Sequence, residues 1–215
     1  MTKRGWVATI GASIATALVA FQLVSPPRGP RSLREFDPDR MADLELRMWQ
    51  AYYANERLRL FALLVTTLRE QYHYPWTTAT VEGFHLARAA SRFSGLTGRY
   101  DTVLPDLERA YETVARWHQA RFDPHAVARA ELAWWVARRT PGANAPEQVG
   151  RLIAEEYALL YDTPLADVLS AGLLRAEAAA LRDREAAQPD WPAIGALLHD
   201  SYRELRARLS TSLAD

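Results

Sequence analysis

There is no cysteine among the 215 residues. That absence removes disulfides, thiolate metal sites, iron–sulfur clusters and a cysteine nucleophile, and it leaves the redox compartment unreadable. Lysine is nearly missing as well: of 26 basic residues, only Lys3 is not an arginine. A GC-rich genome accounts for the bias. Its physical consequence is a large set of planar donors able to grip carboxylates in two-pronged fashion. An excess of either charge is lacking too, with 26 basic against 26 acidic residues, so no global field points to nucleic acid or to an acidic substrate. Basic residues interleave with acids throughout, which argues against a nucleic-acid groove. The 10 glycines are scattered, so no loop is built to cradle a phosphate or a dinucleotide, and no Gly-x-Ser-x-Gly elbow marks a serine nucleophile. No stretch alternates between turn signals as a strand would.

What is present begins with a charge-free run from Gly5 to Pro27, "GWVATIGASIATALVAFQLVSPP". Roughly 20 apolar residues cross the hydrocarbon core as a helix, so residues 1–27 read as a membrane anchor, with the span at 5–24. A cleaved signal peptide is the alternative, although the apolar region is long for one and the cleavage site is poor. A buried core helix is a third reading. Lys3 and Arg4 flank one end while Arg28, Arg31, Arg34 and Arg40 flank the other, so the positive-inside rule returns no side for the body of the chain. Small residues four apart, Gly11 with Ala15 and Ala8 with Ala12, would let a helix of another membrane protein approach closely. Residues 28–39 read as a proline-rich linker, and 40–215 as an all-helical domain.

Seven helices are expected in that domain, at about 39–74, 77–94, 104–122, 124–139, 146–161 and 164–187, with a last one after "QPDWP" running to about 209. Three of them open with the same device, "DPHAV", "APEQV" and "TPLADV". Proline costs nothing at the first helical position, where the N–H has no intrahelical partner, and Asp123 and Thr163 are suitable caps before it. No aromatic or small residue recurs at a period of about 34, which excludes a tetratricopeptide array. The fold class is all-α, a helical bundle or an irregular helical array.

Helical periodicity turns one glutamate of three helices towards the interior. Glu56 falls on the stripe of Trp49, Tyr53, Leu60 and Leu64; Glu131 on that of Val127, Ala130 and Trp134; Glu156 on that of Val149, Leu152, Ile153 and Leu160. An acid beside such apolar neighbours must be paired or put to use. Arg138, Arg151, Arg175 and Arg182 are the candidate partners, and interior Glu–Arg pairs are the structural expectation. The chemical alternative is a site for two iron or manganese ions, as in four-helix carboxylate proteins, which combine single glutamates with Glu-x-x-His pairs. Two such strings occur, "EQYH" (Glu70, His73) and "EGFH" (Glu82, His85), flanking the break at "YPW". The set Glu56, Glu82, His85, Glu131 and Glu156 would then hold the metals. The inward acids themselves lack a histidine three residues on, since Trp134 and Leu159 stand there.

The remaining histidines have no partner at metal-ligand spacing. His118 reads as a core residue, His125 lies in a first helical turn and His199 in the polar "LHDSY". "REQYHYPW" at 69–76 reads as a helix corner packed with aromatics. Seven tryptophans and nine tyrosines are many for this length. They line either a core, an apolar pocket or a partner surface. Three functions follow as expectations: a membrane-anchored accessory or interaction protein without a cofactor, a di-iron or di-manganese oxidoreductase, and a binder of an apolar ligand such as a lipid or quinone.

Overall fold

The computed structural model describes Ala20, Phe21, Ser25 and residues 32–211. Apart from those first three residues, the anchor read at 5–24 and the start of the linker lie outside the described residues. Among the described residues, no helix is long and apolar enough to cross a membrane.

The chain is an all-α helical bundle. Eight helices are described: α1 (Pro38–Tyr53), α2 (Arg57–Glu70), α3 (Trp76–Ser94), α4 (Leu104–His118), α5 (Pro124–Arg139), α6 (Pro146–Tyr161), α7 (Leu165–Arg184) and α8 (Trp191–Thr211), with a 3-10 turn at Tyr100–Val103 before α4. The eighth arises because the stretch expected as one helix over 39–74 is two. At Ala54–Glu56 the chain leaves the helix, and Asn55 sits in the left-handed region at φ 57°. Asn tolerates that conformation without glycine or proline. The proline device places α5 and α6 where expected, and Asp123 caps α5 by accepting from the His125 N–H. α7 differs: Pro164 occupies the cap position, and no side chain makes the cap bond expected of Thr163. α4 stops at His118 because Gln119 turns left-handed at φ 52°.

Each helix packs on its neighbours in sequence, and α8 returns to pack on α1, so the eight form a closed circuit. Most of its apolar core is one continuous cluster running from Phe36 to Leu209. The closest approach in the circuit is α6 against α7. A Cβ built at Gly172 would lie 2.8 Å from the Ala154 backbone nitrogen, and one at Gly150 would lie 2.8 Å from the Leu173 Cα. Gly172→Ala is therefore expected to lower stability by about 1–3 kcal/mol, since a backbone atom has nowhere to move. A fall in the urea midpoint of unfolding checks this.

"REQYHYPW" is a corner, as its composition implies. His73 takes a left-handed φ of 55°, and the Tyr74 side chain is fully buried, edge-on to Trp117. Arg69 holds the corner by donating to the Tyr74 carbonyl while its guanidinium stacks over Trp76.

Candidate functional site

Helices that are not backbone neighbours face one another across the circuit, and long side chains fill the gap. Between α1, α2, α3, α5 and α7 a chamber of about 330 Å³ remains. That volume lies near the lower end of small-molecule sites, which run from about 300 to 1,000 Å³. Its walls are Trp49, Tyr52 and Tyr53 of α1, Leu60 and Leu64 of α2, Leu86 and Phe93 of α3, and Trp134 and Trp135 of α5. At the exposed rim, Arg138 binds both oxygens of Asp183 at 3.1 and 3.0 Å and donates to the Tyr53 hydroxyl at 2.7 Å. Arg139 donates to the Phe93 carbonyl at 2.7 Å and the Tyr52 hydroxyl at 2.9 Å, with its guanidinium 4.1 Å above the Phe93 ring. These arginines lay their stems along aromatic faces and direct their charges outward.

The inner end is acidic. Glu45 of α1, only 4% exposed, accepts from Arg175 of α7 at 2.9 and 2.5 Å and from the Tyr202 hydroxyl of α8 at 2.6 Å. Arg175 also lies over Trp134, 4.9 Å from the ring centre. Behind the wall, Glu156 of α6 accepts from the Trp134 indole N–H at 2.6 Å and from the Tyr111 hydroxyl at 3.0 Å. Glu131 of α5 lines the chamber itself, and its charge bears on the Tyr111 phenol and on Glu156.

Three carboxylates thus share one guanidinium, and that guanidinium is already matched by Glu45. Burial and the neighbouring Glu156 charge push the Glu131 carboxyl up to about 8. Burial also raises Glu156, although Arg175, Trp134 and Tyr111 hold it down in part. Burial moves the Tyr111 phenol well above its ordinary range, so it remains a donor. The Tyr111 hydroxyl is committed as a donor to Glu156, so Glu131 is the acid of the two that a proton relieves.

The residues singled out by periodicity are only partly gathered here. Glu131 and Glu156 come close enough to repel each other, but Glu156 is held by Tyr111 and Trp134 rather than by a directly bonded arginine. Glu56 corrects the expectation outright: it is exposed at the head of α2, paired with Arg59 at 2.8 Å. The helix break at Asn55 resets the phase that had turned it inward. Of the four candidate arginines, Arg175 pairs with interior Glu45, Arg138 and Arg182 meet Asp183, and Arg151 lies beside Glu155 on the surface.

The two Glu-x-x-His strings behave differently. Glu70 ends α2 in an ion pair with Arg40, and His73 lies beyond the helix, so spacing of three no longer puts them on one face. Glu82 and His85 both face α4 but meet different residues there. Glu82 accepts from Thr113 at 3.1 Å, and His85 Nδ1 lies 3.0 Å from Asp106. Burial alone would raise Asp106, yet hydrogen bonds from Arg88 and His85 hold it below the usual carboxylate range. Among the described residues, no three His, Asp or Glu side chains are grouped as a metal ion would require.

The sequence reading passed over Glu45 and Tyr202, and it placed Tyr111 on an apolar stripe with His118 without giving it a role. A signal for Glu45 existed: Met41, Glu45 and Trp49 stand four apart on α1 and so share a face.

No protein-family model matches the chain, no curated protein is detectably similar in sequence, and no solved structure matches its fold.

Proposed function

We propose that this domain binds a small, largely apolar or aromatic ligand in the chamber between α1, α2, α3, α5 and α7. The observation that carries the reading is an aromatic-walled space of about 330 Å³ with an inward-facing titratable group, Glu131. A well-filled helical interior leaves few voids larger than a water molecule, and recognition sites pair apolar walls with a few placed polar groups. The geometry favours this reading over a di-iron or di-manganese oxidoreductase because the acids of the chamber have aromatic hydrogen-bond donors or a guanidinium as partners. Tethering of the domain to a membrane through residues 5–24 is a separate part of the proposal and does not bear on the chamber.

The test uses Ala90, which lines the chamber from α3. Ala90→Phe places a ring in the void. It is expected to reduce binding of 2-naphthol, followed by quenching of tryptophan fluorescence, at least tenfold, with a melting temperature equal to or above that of the parent. Undiminished binding by a folded Ala90→Phe chain would put the ligand elsewhere.

A further inference from the structure

We infer that the chamber takes an organic cation, an aromatic body carrying a protonated amine, and that the amine enters as the ion partner of Glu131. The inference rests on the ligand-binding reading above and specifies its chemistry.

The argument is one of charge placement. At the inner end, Glu45, Glu131 and Glu156 stand against Arg175 alone. The guanidinium is taken up by both of its bonds to Glu45 Oε1, while Tyr202 completes the other oxygen. Glu156 has its two oxygens occupied by Tyr111 and Trp134. Glu131 is the one acid of the three that both lines the chamber and accepts no ion pair. The charged and titratable groups around it are Glu45, Tyr52 and Tyr53 from α1, Tyr72 from the α2–α3 corner, Tyr111 from α4, Glu156 from α6 and Arg175 from α7. Arg138 and Arg139 of its own helix and Asp183 of α7 stand at the rim, where Arg138 is matched by Asp183 and Arg139 is held by the Phe93 carbonyl and the Tyr52 hydroxyl. The chamber residues of α2 and α3 are apolar: Leu60, Leu64, Leu86, Ala90 and Phe93.

Burial and the mutual repulsion of Glu131 and Glu156 favour a proton on Glu131, the member of the pair that lines the chamber. A cation does the same work with better geometry, because its body covers the aromatic walls at the same time. When the ammonium arrives, the Glu131 carboxyl gives its proton to water and becomes the carboxylate that pairs with it. No bond to carbon is made or broken. An anionic ligand reaching the inner end would add its charge beside Glu45, Glu131 and Glu156, and a neutral one would leave the repulsion among them unchanged.

The probes are 2-(2-naphthyl)ethylamine, its neutral counterpart 2-ethylnaphthalene and its acid counterpart 3-(2-naphthyl)propanoate. Each is titrated calorimetrically into the full chain at pH 7 in phosphate and in Tris, whose ionisation heats differ. The amine is expected to bind at least ten times more tightly than either counterpart and to release close to one proton per ligand. In Glu131→Gln the release disappears and the amine loses its advantage over 2-ethylnaphthalene; a cooperative thermal transition reports that the variant is folded. If the neutral or acidic probe binds as tightly as the amine, or the amine binds without proton release, the cation inference is overturned and the ligand-binding reading stands. If none of the three binds, that reading falls with it.

Discussion

Arg175→Met is expected to cost the fold about 3–5 kcal/mol, the penalty for removing one partner of a buried ion pair. The guanidinium supplies two of the three hydrogen bonds that hold Glu45, and the site lies where α1, α7 and α8 converge. Without it, a carboxylate that is 4% exposed has only the Tyr202 hydroxyl. Domains of this size are stable by roughly 5–15 kcal/mol, so the loss brings the chain close to unfolding. Glu45→Met combined with Arg175→Met is expected to recover most of the loss, because two apolar chains of similar length leave no charge stranded. Urea unfolding of the parent, both single variants and the double variant closes the cycle. A loss below about 1 kcal/mol for Arg175→Met would mean that water, not the guanidinium, neutralises Glu45.

The second large effect depends on pH. In the folded chain burial and the Glu156 charge push the Glu131 carboxyl up to about 8 from its ordinary 4.5. Between those limits the folded state binds a proton that the unfolded state has released. Stability of the parent therefore falls as pH rises through this window, by about 1.4 kcal/mol per pH unit from this group at most, and levels off above it. Glu131→Gln carries no titrating proton. The variant is expected to match or trail the parent at pH 5 and to exceed it by roughly 2–4 kcal/mol at pH 9. Denaturation midpoints at pH 5, 7 and 9 give the comparison, and a gap that stays constant across them would show that Glu131 is ionised throughout.

Local signals were legible where chemistry at one or two residues decides the outcome. Proline at the first helical position, with Asp before it in one case, placed α5 and α6 at their observed bounds. The break at Asn55 left no such mark, since a single left-handed residue costs asparagine little and the flanking residues all suit a helix. That missed break explains Glu56. A stripe continues only while the helix does, so an interruption of three residues rotates everything after it. The same limit applies to Glu70 and His73, whose spacing is meaningful only inside one helix. The interior glutamates 131 and 156 were visible from periodicity because α5 and α6 are uninterrupted. The partners of Glu156 were not, because Tyr111 and Trp134 sit on faces whose neighbours depend on how the circuit closes. Arginine was the expected counterion by abundance; proximity chose indole and phenol instead.

The closing of that circuit has a consequence for how the chain is made. Tyr202 of α8 reaches back across 157 residues to Glu45 of α1. At roughly 5–20 residues per second, the ribosome exposes Glu45 about eight to thirty seconds before Tyr202 emerges. Throughout that interval the acid has no phenol to receive it, and water must serve as its host. The buried acid of the first helix thus finds its last partner only when the eighth arrives.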